Sequence, residues 1–139
     1  MLTDDHESVI RSRVNGNYLY LGSDAKLANW LGIEESEVSD VVDGLIAEGV
    51  LCFLGLSRTG SRKYRLLPAG TPDAAVRLYR RMVEDAAVGG IVDANSSDEL
   101  ARLAGLSTSE CKSAFGYLQR RGLVDTDEID GRRLPVVAT

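Results

Sequence analysis

The chain has 139 residues, of which 44% are hydrophobic, and this supplies enough apolar material for one domain or two small ones. That composition excludes a disordered chain, and no apolar run approaches the roughly 20 residues that a membrane helix needs. The formal net charge of −5 means that contact with nucleic acid would require locally concentrated positive charge. The acidic start lacks the pattern of a signal peptide. We therefore expect a cytoplasmic protein without membrane contact.

Residues that build catalytic and metal centres are sparse. Cys52 and Cys111 do not make a disulfide framework, and the one histidine, His6, has no recognised zinc-site spacing to them. Gly89-Gly90 lack the spacing and the lysine of a phosphate-binding loop. The sequence therefore predicts no catalytic residue, no metal site and no cofactor, and we do not expect an enzyme.

Three helices and a strand are predicted in the first third of the chain. The first helix runs to about residue 14, and a strand candidate follows at residues 18–21. Ser23 is expected to cap a short second helix, which ends at Gly32, where a left-handed backbone favours glycine. The third helix stops at Gly49, and its apolar residues recur at i, i+3, i+4 and i+7: Val38, Val41, Val42 and Leu45.

A β-hairpin is predicted next, with strands at residues 51–53 and 64–66 around a turn at residues 57–61. The segment Pro68-Ala69-Gly70 then suits a joint between domains. We therefore predict two domains, covering residues 1–68 and 69–139.

The second half predicts the same order of elements. Ser96 with Glu99, and Ser107 with Glu110, have capping-box spacing at the starts of two helices. A second hairpin is predicted around Asp130-Gly131, because this dipeptide favours a tight two-residue turn. Residues 91 and 92 are a candidate for a short extra strand.

Two segments of the chain align without a gap. The glycine that ends the short helix recurs at an offset of 105 − 32 = 73, and the glycine after the next helix recurs at 122 − 49 = 73. Leu27, Ala28 and Leu45 match Leu100, Ala101 and Leu118 at the same offset. An internal repeat of this length predicts two units of one fold.

The first segment has the pattern Leu27-Ala28-x-x-Leu31-Gly32-Ile33-x-x-Ser36-x-Val38, followed by Leu45-x-x-x-Gly49-Val50-Leu51. This pattern resembles the winged-helix superfamily of bacterial and archaeal regulators. The resemblance covers nearly the whole chain and implies a mainly α protein with small β-hairpins (an α+β fold), arranged as two tandem winged helix-turn-helix units. In members that bind DNA, the second helix of the pair enters the major groove and the hairpin, or wing, touches phosphate or the minor groove.

Charge divides the first unit into two unlike parts. Residues 34–48, the expected groove-reading helix, hold six acids and no base. Such a helix suits a solvated or protein-binding face better than DNA, which carries a negative charge per roughly 1.7 Å. The acidic helix is expected to turn four residues outward: Glu35, Ser39, Asp40 and Asp43. The hairpin instead carries four bases, which either contact phosphate or pair with neighbouring acids: Arg58, Arg62, Lys63 and Arg65.

The matching helix of the second unit is more compatible with DNA. Its outward positions hold small polar groups, a lysine, a glutamine and an arginine: Thr108, Ser109, Lys112, Ser113, Gln119 and Arg120. Alternatively, Arg120 only complements the C-terminus of the helix. The second wing is largely acidic and is a poor probe for the minor groove.

Two functional hypotheses follow. The first is a duplex-DNA-binding protein, a transcriptional regulator or an accessory factor, which uses the unit 2 helix and the unit 1 wing. The alternative is a protein-interaction module, similar to the segregation and condensation protein B family or to a polymerase-associated scaffold, with no DNA contact through unit 1. The acidic helix favours the second hypothesis. The oligomeric state, including a homodimer, stays open.

Overall fold

The computed structural model describes residues 2–14 and 16–138, and the chain divides into two compact units, Met1–Gly70 and Thr71–Thr139. The described residues form six α-helices, one 3-10 turn and two small antiparallel sheets. The chain is therefore a mixed α+β protein, and each unit has a helix-helix-hairpin order of elements.

Unit 1 places a three-stranded antiparallel sheet against three helices. The strand order is β1-β3-β2, so the strand predicted at residues 18–21 pairs with the second strand of the hairpin. A register shift between Phe53 and Gly55 marks a bulge in the first hairpin strand. The elements are α1 (Leu2–Arg13), β1 (Tyr18–Leu21), α2 (Ala25–Leu31), α3 (Glu35–Ala47), β2 (Leu51–Leu56) and β3 (Arg62–Leu66).

Among its described residues, unit 2 also has three α-helices, but its sheet has two strands. The predicted strand at residues 91 and 92 is reduced to a single bridge between Ile91 and Val136. The elements are α4 (Asp73–Asp85), a 3-10 turn (Val88–Gly90), α5 (Ser97–Ala104), α6 (Thr108–Arg120), β4 (Val124–Ile129) and β5 (Arg132–Val137).

The helix-turn-helix corner is built alike in both units. Gly32 ends α2 with φ 67°, and Gly105 ends α5 with φ 70°, as the sequence predicts. Side chains other than glycine rarely adopt this left-handed backbone. The second hairpin also turns as predicted, because Asp130 and Gly131 have φ 54° and 78°, the signs that a type I′ turn requires.

The helix N-termini confirm the predicted Ser107–Glu110 capping box and correct the predicted cap at Ser23. In the predicted Ser107–Glu110 box, the Glu110 N–H donates to Ser107 Oγ at 3.1 Å and the Ser107 N–H donates to Glu110 Oε1 at 2.9 Å. Hydrogen bonds that the Glu110 carboxyl accepts from the Ser107 backbone N–H and from the Ser107 side chain lower its pKa. The prediction for Ser23 is wrong, since the N-cap of α2 is Asp24, which makes no capping bond. The carboxylate of Asp24 instead pairs with Arg62.

Each unit has its own buried core. In unit 1 the inward face of α3 packs with α1, α2 and the inner side of the sheet through Ile10, Leu19, Leu27, Val38, Val42, Leu45 and Leu51. In unit 2 the fully buried side chains include Leu78, Tyr79, Met82, Leu118 and Leu123. Burial of one face of α3 and α6 fixes which residues point outward.

Candidate functional site

The exposed side of α3 is acidic, as the sequence predicts. Val38, Val42 and Leu45 are buried on the opposite side. Four exposed side chains of α3, which we call the acidic face, are Glu35, Ser39, Asp40 and Asp43. Because α3 contains no lysine or arginine, no base on this helix neutralises the acidic face.

The bases of the first hairpin do not form a continuous positive surface. Arg62 donates from Nη2 to Asp24 Oδ1 at 2.5 Å, and this bond raises the pKa of the Arg62 guanidinium. Lys63 lies over two aromatic rings, with Nζ 4.6 Å from the Tyr18 centroid and 5.9 Å from the Tyr20 centroid. Two of the four predicted DNA-contacting bases are therefore engaged within unit 1.

Arg65 is buried, and this corrects its assignment to a DNA-contacting surface. Only 5% of the residue is exposed. Its Nη1 donates to the Tyr18 hydroxyl at 2.7 Å, and the guanidinium carbon lies 4.9 Å from the Tyr18 ring centroid. Arg58 is exposed at the hairpin turn, and it has no ion-pair partner among the described residues. It is the one of the four bases that is both exposed and unengaged.

An apolar patch lies on β2, a strand in contact with α3, and the sequence analysis did not predict it. Its two side chains are Phe53, which is 45% exposed, and Leu56, which is 68% exposed; we call them the apolar patch. The Phe53 ring lies 5.4 Å from that of Tyr64, between centroids. Burial raises the pKa of the Tyr64 phenol, Arg62 lowers it, and the Asp24 and Asp43 carboxylates raise it less strongly.

A sequence signal for the apolar patch does exist. The run Leu51-Cys52-Phe53-Leu54-Gly55-Leu56 is almost continuously apolar. A hairpin with one solvated side normally alternates apolar and polar residues. The predicted strand covers residues 51–53, whereas β2 continues to Leu56.

The predicted DNA-contacting residues of α6 lie on two sides of the helix. Lys112 and Gln119 line a groove shared with the second hairpin. Ser109, Ser113 and Arg120 line a separate depression between α6 and α4. Two predicted side chains bind acids of their own unit: Thr108 Oγ1 donates to Asp98 Oδ1 at 2.6 Å, and Gln119 Nε2 donates to Asp125 Oδ1 at 3.1 Å.

The groove beside α6 has a volume of about 390 Å³. Leu100, Phe115 and Pro135 form part of its apolar lining, and Lys112 and Arg133 contribute positive charge. Nearby, Asp125 accepts hydrogen bonds from the Thr126 backbone N–H and from Gln119, and these bonds lower the pKa of its carboxyl. This groove is a concave feature of unit 2 that combines apolar and cationic side chains.

The described range offers few other kinds of site. Within residues 2–14 and 16–138, no three histidine, cysteine, aspartate or glutamate side chains are grouped as metal ligands. In the same range, no helix combines the length and hydrophobicity needed to cross a bilayer.

Comparison with known proteins finds a likeness among solved structures. No family model matches the chain, and no curated protein matches it. A chain in the crystal structure of the endosomal complex ESCRT-II (VPS22/VPS25/VPS36) aligns with it at a TM-score of 0.42 and 14% sequence identity. The alignment covers 99% of this chain and 63% of that chain, so this chain spans less than two thirds of the neighbour's length.

Proposed function

We propose that the chain consists of two tandem winged-helix units and acts as a protein-interaction module. Unit 1 docks a partner segment that carries basic side chains around an apolar anchor. The observation that carries this proposal is the exposure of Phe53 and Leu56 on β2, a strand in contact with the acidic helix α3.

The apolar patch supplies the affinity in this proposal. Fully burying a leucine or phenylalanine side chain contributes about 1.5–3 kcal/mol, and a partly exposed side chain contributes a share of that. Aromatic anchors often dominate the energy of protein interfaces. Phe53 and Leu56 are therefore the expected energetic centre of the contact.

The acidic face supplies specificity. Complementary charge speeds encounter and excludes partners of the same sign. Asp40 and Asp43 are exposed on α3. A segment with lysine or arginine beside its apolar anchor fits this arrangement.

The same charges argue against DNA contact through unit 1. If α3 entered the major groove, the carboxylates of Glu35, Asp40 and Asp43 would lie close to DNA phosphates of the same charge. The helix has no base to offset this repulsion. Arg62 and Arg65 are occupied by Asp24 and Tyr18. Of the four hairpin bases, Arg58 is the one that is both exposed and unengaged among the described residues.

Selection from a displayed random-peptide library on the immobilised full chain tests the proposal. We expect enriched peptides with lysine or arginine beside a leucine or an aromatic residue. Asp40→Lys and Phe53→Ser, each at an exposed site, should each weaken a selected peptide by about tenfold or more. Glu84→Lys is the matched control for charge, since Glu84 is exposed on α4 of unit 2, and it should leave binding unchanged. Enrichment that ignores Asp40 and Phe53 would overturn the proposal.

Duplex DNA contact by α6 is the second candidate function. It is favoured by the exposure of Ser109, Lys112, Ser113 and Arg120 on one helix. Fluorescence anisotropy with a short mixed duplex at low salt tests it. Binding that weakens as salt rises and is lost in Lys112→Glu would support this candidate, since phosphate contacts release counterions. Absence of binding at micromolar protein would eliminate it.

A further inference from the structure

The groove beside α6 pairs an apolar lining with cations, in contrast to the acidic unit 1 surface. Its apolar part includes Leu100 on α5, Phe115 on α6 and Pro135 on β5. Lys112 and Arg133 lie on opposite sides, one on α6 and the other on β5. Both residues are exposed.

Neither of these two cations forms a direct ion pair with a carboxylate among the described residues, although Asp125 interacts electrostatically with Arg133. Lys112 makes no ion pair there, and Arg133 donates from Nε to the Thr126 hydroxyl at 3.2 Å. The remaining guanidinium N–H groups of Arg133 are free to bind a ligand.

Acids around the groove already have donors of their own. Asp98 accepts from Thr108, Glu99 accepts from the Asn95 backbone N–H at 3.0 Å, and Asp125 accepts from Gln119. Asp125 also interacts electrostatically with Arg133. Among the described residues, the lining of the groove itself includes Lys112 and Arg133 and no acid, although the protein as a whole has a net charge of −5.

We propose that this groove binds a short protein segment in which an acidic side chain follows or precedes an apolar one. The apolar side chain packs on Phe115 and Pro135, and the carboxylate bridges Lys112 and Arg133. A groove of about 390 Å³ holds a few side chains of an extended or helical segment. This site is separate from the one proposed for unit 1 and has the opposite charge preference.

A peptide fits the groove better than duplex DNA. The apolar lining offers nothing to phosphate, and the adjacent wing strand carries Asp125, Asp127 and Glu128, all exposed. A duplex extends well beyond the groove and would bring its phosphates against this strand. A short peptide contacts the groove alone.

Random-peptide display on the full-length variant Phe53→Ser/Leu56→Ser tests the proposal independently of unit 1. Both substitutions replace exposed side chains, so the chain is expected to remain folded. We expect selected peptides to contain aspartate or glutamate beside leucine or an aromatic residue. Failure of the unit 1 proposal would leave this result unchanged.

Substitutions at Lys112 identify the site. A synthetic peptide from the selection should bind Lys112→Glu and Lys112→Met about tenfold or more weakly, because a charge-assisted hydrogen bond is lost. Lys112→Arg should retain binding. Arg58→Glu makes the same charge change as Lys112→Glu at an exposed unit 1 site, and it should change affinity by no more than about twofold.

Three results would overturn this proposal. One is the absence of an acidic and apolar consensus among the selected peptides. Another is peptide binding that is unchanged in Lys112→Glu. The third is displacement of the peptide by a mixed duplex whose own binding depends on Lys112, since that result assigns the groove to nucleic acid.

Discussion

Arg65 illustrates how one aromatic neighbour can change the role of a basic residue. Its charge suggests a surface contact, but β3 pairs it with Tyr18 of β1, and the guanidinium lies against that ring. Only 5% of Arg65 is exposed, and its Nε has no hydrogen-bond partner. The Tyr18 hydroxyl is thus a main source of compensation for a buried charge.

Tyr18→Phe should destabilise unit 1. The substitution leaves the ring but removes the acceptor of the 2.7 Å bond from Arg65, and an unsatisfied buried donor costs about 1–3 kcal/mol. Urea unfolding measures the change. Tyr20→Phe is the matched control, because Tyr20 is 43% exposed on the same strand, and it should change the free energy of unfolding by less than about 0.5 kcal/mol. Equal effects of the two substitutions would contradict this account of Arg65.

At the level of elements, glycine has opposite roles within one helix pair. Gly32 has φ 67° and ends α2, whereas Gly44 lies inside α3 and has no heavy atom within 4 Å of the position that a Cβ would occupy. The first conformation favours glycine, and the second favours alanine.

Gly44→Ala should therefore stabilise the chain by about 0.5–1 kcal/mol, since alanine has the higher helix propensity. Gly32→Ala should destabilise it by about 1–2 kcal/mol, since its left-handed backbone strains a side chain even where space is open. Paired thermal or urea unfolding of the two variants measures both effects. If both substitutions changed the free energy of unfolding in the same direction, the helix pair would not be built as described.

Local signals account for the parts of the fold that the sequence predicts well. The glycine ends of α2 and α5, the Ser107–Glu110 capping box and the Asp130-Gly131 turn each depend on residues close together in the chain. The outward direction of Asp40 and Asp43 follows from the apolar periodicity of α3. These features required no knowledge of long-range contacts.

Contacts between distant residues explain what the sequence did not predict. Asp24 and Arg62 are 38 positions apart, and Tyr18 and Arg65 are 47 apart. Those pairings engage Arg62 and Arg65, two of the hairpin bases that the sequence predicts to contact DNA. The exposure of Phe53 and Leu56 also depends on tertiary structure. Apolar residues in a strand favour burial, and they stay exposed only where no neighbouring element covers them.

At the scale of the whole molecule, the repeat produces two units with different surfaces. At the 73-residue offset, Ser39 of α3 corresponds to Lys112 of α6, and Asp43 corresponds to Gly116. The common fold is retained because the buried positions Val38 and Leu45 correspond to Cys111 and Leu118, which are also buried. Surface positions are therefore free to differ, and we infer that the units serve different partners.

Amide NMR spectra of the labelled full chain test the central claim most directly. A selected basic and apolar peptide and, separately, a short mixed duplex at low salt would be titrated into the protein. We predict that the peptide shifts the amides of α3 and β2, including Asp40, Asp43 and Phe53, and that the duplex leaves them in place. Duplex-induced shifts across α3, with no response of the same amides to the peptide, would contradict the assignment of unit 1 as a protein-binding module.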